Sequence, residues 1–481
     1  MTDGATLYID GKWTGAADGA VFEVQDPSSD VAFGVASAGG AADARAALNA
    51  ATAALPAWSR TTAYERSEIL VRAHRLLNER AEALAQLMTR EQGKPLRMAR
   101  AEVRYAGDFL LWFAEEAKRV YGMTIPSARA DQRFTVLRQP VGVVAAITPW
   151  NYPISMITRK VAPAIAAGCT TVLKPAEQTP LCAVAVFEIL HEAGLPAGVA
   201  NLVTAADPAP VSDVWLDAPA VRKLTFTGST EVGKHLAARA AGSMKRVSME
   251  LGGHAPFLVF DDADVEHAAK GAALVKYLNT GQACICPNRI YVQRPNVEAF
   301  TELFTTRVAK LKVGAGTTDG VTVGPLIDGA AMQKMQRQVE DAVAKGARLL
   351  TGGSPVRPEG LTGQNFFAPT VIADVTPEML IYREETFGPI AAIIGFDDES
   401  QAVTMANDTH YGLASYVYTD DLRRATRVTE ALRFGMVGLN DINPTSAAAP
   451  FGGVGESGTG REGGPTGIDE YLDVKVIGAA V

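Results

Sequence analysis

Cysteine and histidine are scarce in this chain of 481 residues, at four and six respectively, and no run of about 18 uninterrupted apolar residues occurs in it. Four cysteines cannot staple so long a chain into a disulfide framework. The missing apolar run excludes a membrane-spanning helix. Charge of one sign is nowhere concentrated: 45 basic against 53 acidic side chains give −8 overall without a long block of either, so the footprint of a nucleic-acid binder is absent. The opening residues Met1–Asp10 have neither a basic start nor an apolar stretch of signal-peptide length, which predicts a cytoplasmic protein with no membrane partner. What remains is small-molecule chemistry in a packed protein. Hydrophobic residues make up 47% of the chain, and its length accommodates about three domains at the usual ~150 residues each.

Residues 66–88 place Ile69, Ala73, Leu76, Leu77, Leu84 and Met88 at helical spacing, with Arg72, Arg75, Glu79 and Glu82 largely opposite. This predicts one amphipathic helix, and 97–120 reads similarly. From about residue 141 short apolar runs alternate with helical stretches: Val141–Thr148, Thr171–Lys174, Asn201–Thr204, Val221–Thr227 and Arg246–Glu250. Such alternation predicts an α/β fold with a parallel sheet, whose ligand sits beyond the carboxyl ends of the strands. A second α/β stretch runs from Ala255 to about Leu439, with strands expected at Pro256–Phe260, Arg289–Gln293, Pro389–Gly395 and Leu413–Tyr418. Gln132–Arg138 and the tail Glu470–Ile477 alternate in a β manner outside both stretches, and are expected to pair with each other or with another subunit.

The chemistry is sought in the loops after those runs. Thr148, Pro149, Trp150 and Asn151 follow the first, where the Asn151 amide is placed to donate to a developing oxyanion. Lys174 and Glu177 follow the second, spaced to grip a ribose diol. Phe226–Lys234 reads as strand, glycine turn and helix start, with Gly228 and Ser229 suited to pyrophosphate, although it lacks the full glycine fingerprint of a dinucleotide fold. Glu250 ends an apolar strand just before Gly252 and Gly253, where burial raises a carboxyl's proton affinity and makes it a candidate general base. In Asn279–Arg289 a thiol, Cys284, occupies a polar glycine-containing loop, two residues from Cys286. Metal is not expected, since no other cysteine or histidine supplies the four ligands of a structural zinc. Cys169 and Cys182 read as core thiols. Glu384–Pro389 and Pro450–Glu462 place further carboxylates and an aromatic among glycines.

Taken together, these motifs make the chain resemble the NAD(P)-dependent aldehyde dehydrogenase superfamily, and within it the succinate-semialdehyde dehydrogenase-like group. The likeness runs from Asp10-Gly-Lys-Trp13 to Glu470–Lys475. The resemblance implies Cys284 as nucleophile, Glu250 as the base that hydrolyses a thioester, Asn151 as oxyanion donor, and Lys160 with Glu462 as a proton relay. It implies a nicotinamide cofactor held by Thr148, Pro149, Trp150, Lys174, Glu177, Gly228, Ser229, Gly252, Glu385 and Phe387. NAD is preferred over NADP, because the Glu177 carboxylate suits a free 2′-hydroxyl. By the same likeness Arg159 and Ser446 bind the substrate's distal carboxylate, and Cys286 is a redox partner for Cys284. Two parallel α/β domains and a small β oligomerisation element are implied. Residues 1–121 with 141–250 bind cofactor, 251–445 carry the nucleophile, and 122–140 with 446–481 build a dimer or tetramer.

Two departures bear on the substrate. Leu278 stands where semialdehyde relatives carry a second arginine, and Gly455 where relatives place lysine. Succinic semialdehyde is the first expectation. Another short anionic or hydroxylated aldehyde, such as sulfolactaldehyde, lactaldehyde or glutarate semialdehyde, is the alternative. A CoA-acylating enzyme of this fold commonly dispenses with the hydrolytic base that Glu250 provides.

Overall fold

The computed structural model describes residues 4–481. Four of the apolar runs, with the short run after them, form the parallel heart of an eight-stranded sheet: β7 (Val143–Ile147), β8 (Thr170–Lys174), β9 (Ala200–Leu202), β10 (Val221–Thr227) and β11 (Arg246–Glu250). Its order is β19-β11-β10-β7-β8-β9-β1-β2, where β1 (Leu7–Ile9), β2 (Lys12–Thr14) and β19 (Gly458–Thr459) add antiparallel edges. Because β8 and β9 lie to one side of β7 and β10 and β11 to the other, the chain reverses its winding between β7 and β10, opening a crevice at their carboxyl ends. The central strand β7 is apolar throughout because both its faces are covered. Val144 and Ala146 join one hydrophobic cluster, and Val143, Ala145 and Ile147 the other.

Helices α1 (Ala41–Trp58), α2 (Ala63–Glu79), α3 (Ala81–Gln92), α4 (Leu96–Glu116), α5 (Ser155–Ala167), α6 (Pro180–Glu192), α7 (Ala209–Asp217) and α8 (Thr230–Ala241) flank this sheet or connect its strands. The single helix expected over 66–88 is two. Arg80, at φ −99 and ψ 11, ends α2 and starts α3, so both faces of the pair find partners on α4.

The second sheet has the order β14-β15-β16-β13-β12-β17-β18, built from β12 (Ala255–Val259), β13 (Pro287–Gln293), β14 (Arg348–Thr351), β15 (Thr370–Ala373), β16 (Ile390–Phe396), β17 (Ala414–Tyr418) and β18 (Met436–Leu439). Only β14 is antiparallel to its neighbour. Helices α9 (Val265–Lys276), α10 (Val297–Val308) and α11 (Gly329–Ala344) belong to this half. The amino end of β12 follows the carboxyl end of β11 by four residues, so the two sheets meet there.

A hairpin, β3 (Val21–Asp26) with β4 (Val31–Ser37), stands apart, as does a three-stranded sheet of β5 (Met123–Ile125), β6 (Gln132–Pro140) and β20 (Leu472–Ala480). The expected pairing of the two solitary β stretches is observed, in antiparallel register from Leu472↔Pro140 to Ala480↔Gln132. Val474 and Val476 on β20 are exposed. Among the described residues no helix is long and apolar enough to cross a membrane.

Candidate active site

The loop that leads into Cys284 is strained. Asn279, Thr280 and Gly281 are successive left-handed residues at φ 49, 61 and 77, a conformation that costs a non-glycine residue about 1–3 kcal/mol and persists only when its surroundings hold it. The holding bonds are visible. Asn279 Nδ2 donates to the Asn151 carbonyl at 2.9 Å, Gly324 N–H to Thr280 Oγ1 at 2.9 Å, and Ile327 N–H to Gln282 Oε1 at 3.0 Å. Gly281 has no room for a side chain, since a Cβ would stand 2.1 Å from the Gly388 carbonyl oxygen.

Cys284, half-buried, opens onto two cavities. The first, about 240 Å³, is lined by Pro149, Trp150 and Asn151 after β7, Thr227, Gly228 and Ser229 after β10, Glu250, Leu251 and Gly252 after β11, and Lys334, Glu385 and Phe387 from the other half. The structure therefore brings most of the expected cofactor residues to the crevice between β7 and β10. Gly252 leaves space that Glu385 fills, for a Cβ would meet Glu385 Oε2 at 2.8 Å. Glu385 accepts the Gly253 N–H at 2.8 Å, and burial pushes its carboxyl up to about 6. Phe387, at φ 52, sets its ring edge against Trp150, centroids 5.6 Å apart. Ser229 caps α8 by accepting the Val232 N–H at 3.3 Å. Thr148 Oγ1 and Thr227 Oγ1 are buried without a partner. Two orphaned hydroxyls, a helix N-terminus and glycine walls fit a dinucleotide. Lys174 and Glu177 lie elsewhere: they pair with each other at 3.0 Å beyond β8, and Glu177 opens on a separate cleft of about 810 Å³.

The second cavity, about 340 Å³, is lined by Met98, Glu102 and Tyr105 of α4, Met156 and Arg159 of α5, Leu278, Ile285, Asn443, Thr445 and Phe451 among others. Arg159 belongs there as expected. Ser446 does not: it is exposed, and its Oγ accepts the Ala448 N–H at 3.2 Å, turning the hydroxyl into the loop, so that Asn443 and Thr445 face the cavity in its place. Neither was legible, because loop residues carry no period that tells inward from outward. Leu278 lines the cavity with an apolar surface.

Behind both cavities lies a buried charge cluster. Glu462 contacts Lys160 Nζ at 2.5 Å and Arg159 Nη2 at 2.8 Å, and Lys160 also donates to Thr225 Oγ1 at 3.1 Å. Burial alone pushes the Glu462 carboxyl up, but Lys160 and Arg159 outweigh it and hold it below the usual range. Glu250 is pushed well above that range, first by burial and then by Glu462, and its Oε2 has no partner. Burial likewise pushes the Cys284 thiol up to about 12, against the pull of Arg159. Arg159 Nη2 lies off the hydrogen-bonding line to Glu462, and neither it nor Nε has an aligned acceptor. Its guanidinium sits 3.9 Å over the Phe451 ring.

Asn151 is buried, and its Nδ2 donates to the Gln282 carbonyl at 3.0 Å, which leaves one amide hydrogen free. Cys286 is buried and its thiol donates to the Val275 carbonyl at 3.1 Å; all four cysteines are free. Gly455 stands at φ 60, where a lysine would be strained. Among the described residues no group of histidine, cysteine or acidic side chains is arranged to hold a metal.

The geometry has counterparts. The model of the aldehyde dehydrogenase family matches residues 13–477. The chain is 51% identical over 470 residues to the glutarate-semialdehyde dehydrogenase of Pseudomonas putida, covering 98% of this chain and 96% of that one. It is 49% identical over 469 residues to the NADP(+) succinate-semialdehyde dehydrogenase of Escherichia coli, with the same coverage. The crystal structure of a succinate-semialdehyde dehydrogenase from Burkholderia pseudomallei superposes with a TM-score of 0.97 at 47% identity, covering 99% of this chain and 98% of that one.

Proposed function

The chain belongs to the aldehyde dehydrogenase family and oxidises an aldehyde to its acid with NAD(P), and from that premise we propose a short aldehyde with a distal carboxylate as its substrate, succinic semialdehyde first. The observation that carries this reading is Arg159. It lines the cavity onto which Cys284 opens and keeps two guanidinium nitrogens without aligned acceptors. Its neighbour Glu462 carries one negative charge against two cations, Arg159 and Lys160. Burial favours the protonated form of Glu250 while substrate binds, which leaves the cluster a surplus positive charge for an anion; the carboxyl sheds that proton before it acts as base.

In this reading the Cys284 thiol gives up its proton to water, the thiolate sulfur adds to the aldehyde carbonyl, and the free Asn151 amide hydrogen, together with the Cys284 N–H, receives the oxyanion. Residues 148–150, Gly228, Ser229, Gly252, Glu385 and Phe387 would hold the nicotinamide and pyrophosphate part of the cofactor and Lys174 with Glu177 its adenosine ribose; when bound it supplies the acceptor for the hydride that leaves the substrate carbon as the Cys284 thioester forms. Glu250 takes a proton from water as that water attacks the Cys284 thioester, which releases the acid and restores the thiol. Lys160 and Glu462, joined to each other and within electrostatic reach of Glu250, pass the proton on.

The half-buried Glu177 carboxylate supports NAD over NADP. The exposed valines of the edge strand β20 support assembly into a homo-oligomer. Four unpaired cysteines, the nucleophile among them, suit a reducing cytoplasm. Residues 1–121 with 141–250 are proposed as the cofactor unit, 251–445 as the nucleophile unit, and 122–140 with 446–481 as the assembly element. The test is kcat/KM for succinic and glutaric semialdehydes, a sulfonated three-carbon aldehyde and butanal, each with NAD and NADP. Semialdehydes with NAD should lead; a lead for butanal overturns the substrate, and a lead for NADP overturns the cofactor choice.

A further inference from the structure

The cavity that receives the substrate contains a second orphaned donor. Tyr105 lies on α4, one turn from Glu102, with its ring lining the cavity and packed edge-on against Phe109, centroids 4.9 Å apart at 77°. The ring is partly open to the cavity, but the hydroxyl oxygen is fully buried and has no aligned hydrogen-bond partner. A buried phenol without an acceptor is unfavourable unless something else occupies the position opposite it. Arg159 acts on this hydroxyl electrostatically, and the Thr445 side chain is a polar neighbour near hydrogen-bonding reach, off the aligned geometry. Two neighbouring residues of the cavity lining, Tyr105 and Arg159, thus each carry a donor without an aligned acceptor, the Tyr105 hydroxyl and Arg159 Nε, in a wall that is otherwise mostly apolar, with Leu278, Ile285, Met98 and Phe451.

We propose that Tyr105 is a specificity-determining residue, which donates its hydroxyl hydrogen to the substrate's distal anionic group beside Arg159 and so supplies the second contact that Leu278 does not. The inference rests on the reading of the substrate as an anionic aldehyde and adds to it. Glu462 restrains Arg159 from one side, so a guanidinium alone would share its charge between protein and substrate. A neutral donor beside it has no such competitor. The pair selects an oxyanion, carboxylate or sulfonate, without adding a charge that would itself need neutralising when the cavity is empty.

Tyr105→Phe removes one oxygen and keeps the ring against Phe109. Steady-state kinetics are compared for wild type and variant on succinic semialdehyde and on butanal, which has the same number of carbons and no carboxylate. The expected result is a loss of about tenfold or more in kcat/KM on the semialdehyde, carried mainly by KM, with butanal changed less than about twofold. The melting temperature should hold or rise, because an unsatisfied buried hydroxyl is deleted. An equal loss on both aldehydes, or a fall in melting temperature with it, assigns Tyr105 to packing and overturns the proposal. If wild type prefers the semialdehyde and Tyr105→Phe does not alter that preference, this proposal fails while the reading of the substrate stands. If wild type itself shows no preference, both fall.

Discussion

Lys94 reaches the main-chain carbonyl of Asn151, 57 residues away, with its Nζ at 2.6 Å, and the same ammonium pairs with Glu102 at 2.5 Å. Glu102 in turn accepts the N–H groups of Ile154 at 3.0 Å and Ser155 at 3.1 Å, at the start of α5. One fully buried ion pair therefore fixes both the Asn151 main chain and the helix that carries Met156, Arg159 and Lys160.

Breaking that pair separates stability from catalysis. Lys94→Met leaves Glu102 buried and unpaired, which should cost about 3–5 kcal/mol by denaturant unfolding. Lys94→Met combined with Glu102→Leu should recover most of that stability, yet kcat should stay low, because the Asn151 carbonyl has lost one of its two donors and keeps only Asn279. Asn151→Ala should lower kcat by about 10²–10³ while unfolding changes by only about 1 kcal/mol.

Glu250→Gln should split the reaction in two. The variant is expected to give one rapid equivalent of reduced cofactor per site on mixing and then to turn over about 10²–10⁴ times more slowly, since acylation proceeds and hydrolysis lacks its base. A stopped-flow trace without the burst would place Glu250 in the first step instead.

Stability should depend on pH through Glu91. This carboxyl is buried and pushed up to about 7 by burial, although it accepts the N–H groups of Leu181 at 2.6 Å and Cys182 at 2.9 Å. Between its ordinary value of 4.5 and about 7 the folded state holds a proton that the unfolded state has lost. Stability therefore falls as pH rises through that window, by roughly 3 kcal/mol from this group. Unfolding of Glu91→Gln across the same range should lack that contribution; equal slopes for wild type and variant would refute it.

Gly281 and Gly360 are both left-handed, at φ 77 and 75, but only Gly281 is crowded, with nothing within 4 Å of a Cβ at Gly360. Gly360→Ala should cost about 1 kcal/mol from backbone strain alone. Gly281→Ala should cost several-fold more and remove activity. Thermal melts of the two variants isolate the effect of close approach.

The reach of sequence reasoning follows from which residues carry a local signal. The strands β7, β8, β10 and β11 were legible because each is a short β-branched or apolar stretch set between helical segments, and their carboxyl ends are where Asn151, Gly228 and Glu250 stand. Cys284, Glu385 and Phe387 were found through glycine-rich loops. The split at Arg80 was not legible, because the apolar period continues through it. Lys94, Glu102 and Tyr105 were missed since the first two look like solvated charges and the third like a core aromatic; only the packing of α4 against α5 gives them a role. Lys334 arrives from α11 across the crevice, with no motif around it.

The left-handed run at Asn279–Gly281 also dictates an order of assembly. Its restraining bonds come from Asn151 in the first half of the chain and from Gly324 and Ile327 in the second, so neither half can shape the loop by itself. During synthesis the thiol emerges before residues 324–327 exist to hold its loop. The final shape of the loop around Cys284 therefore waits on contacts from both halves of the chain.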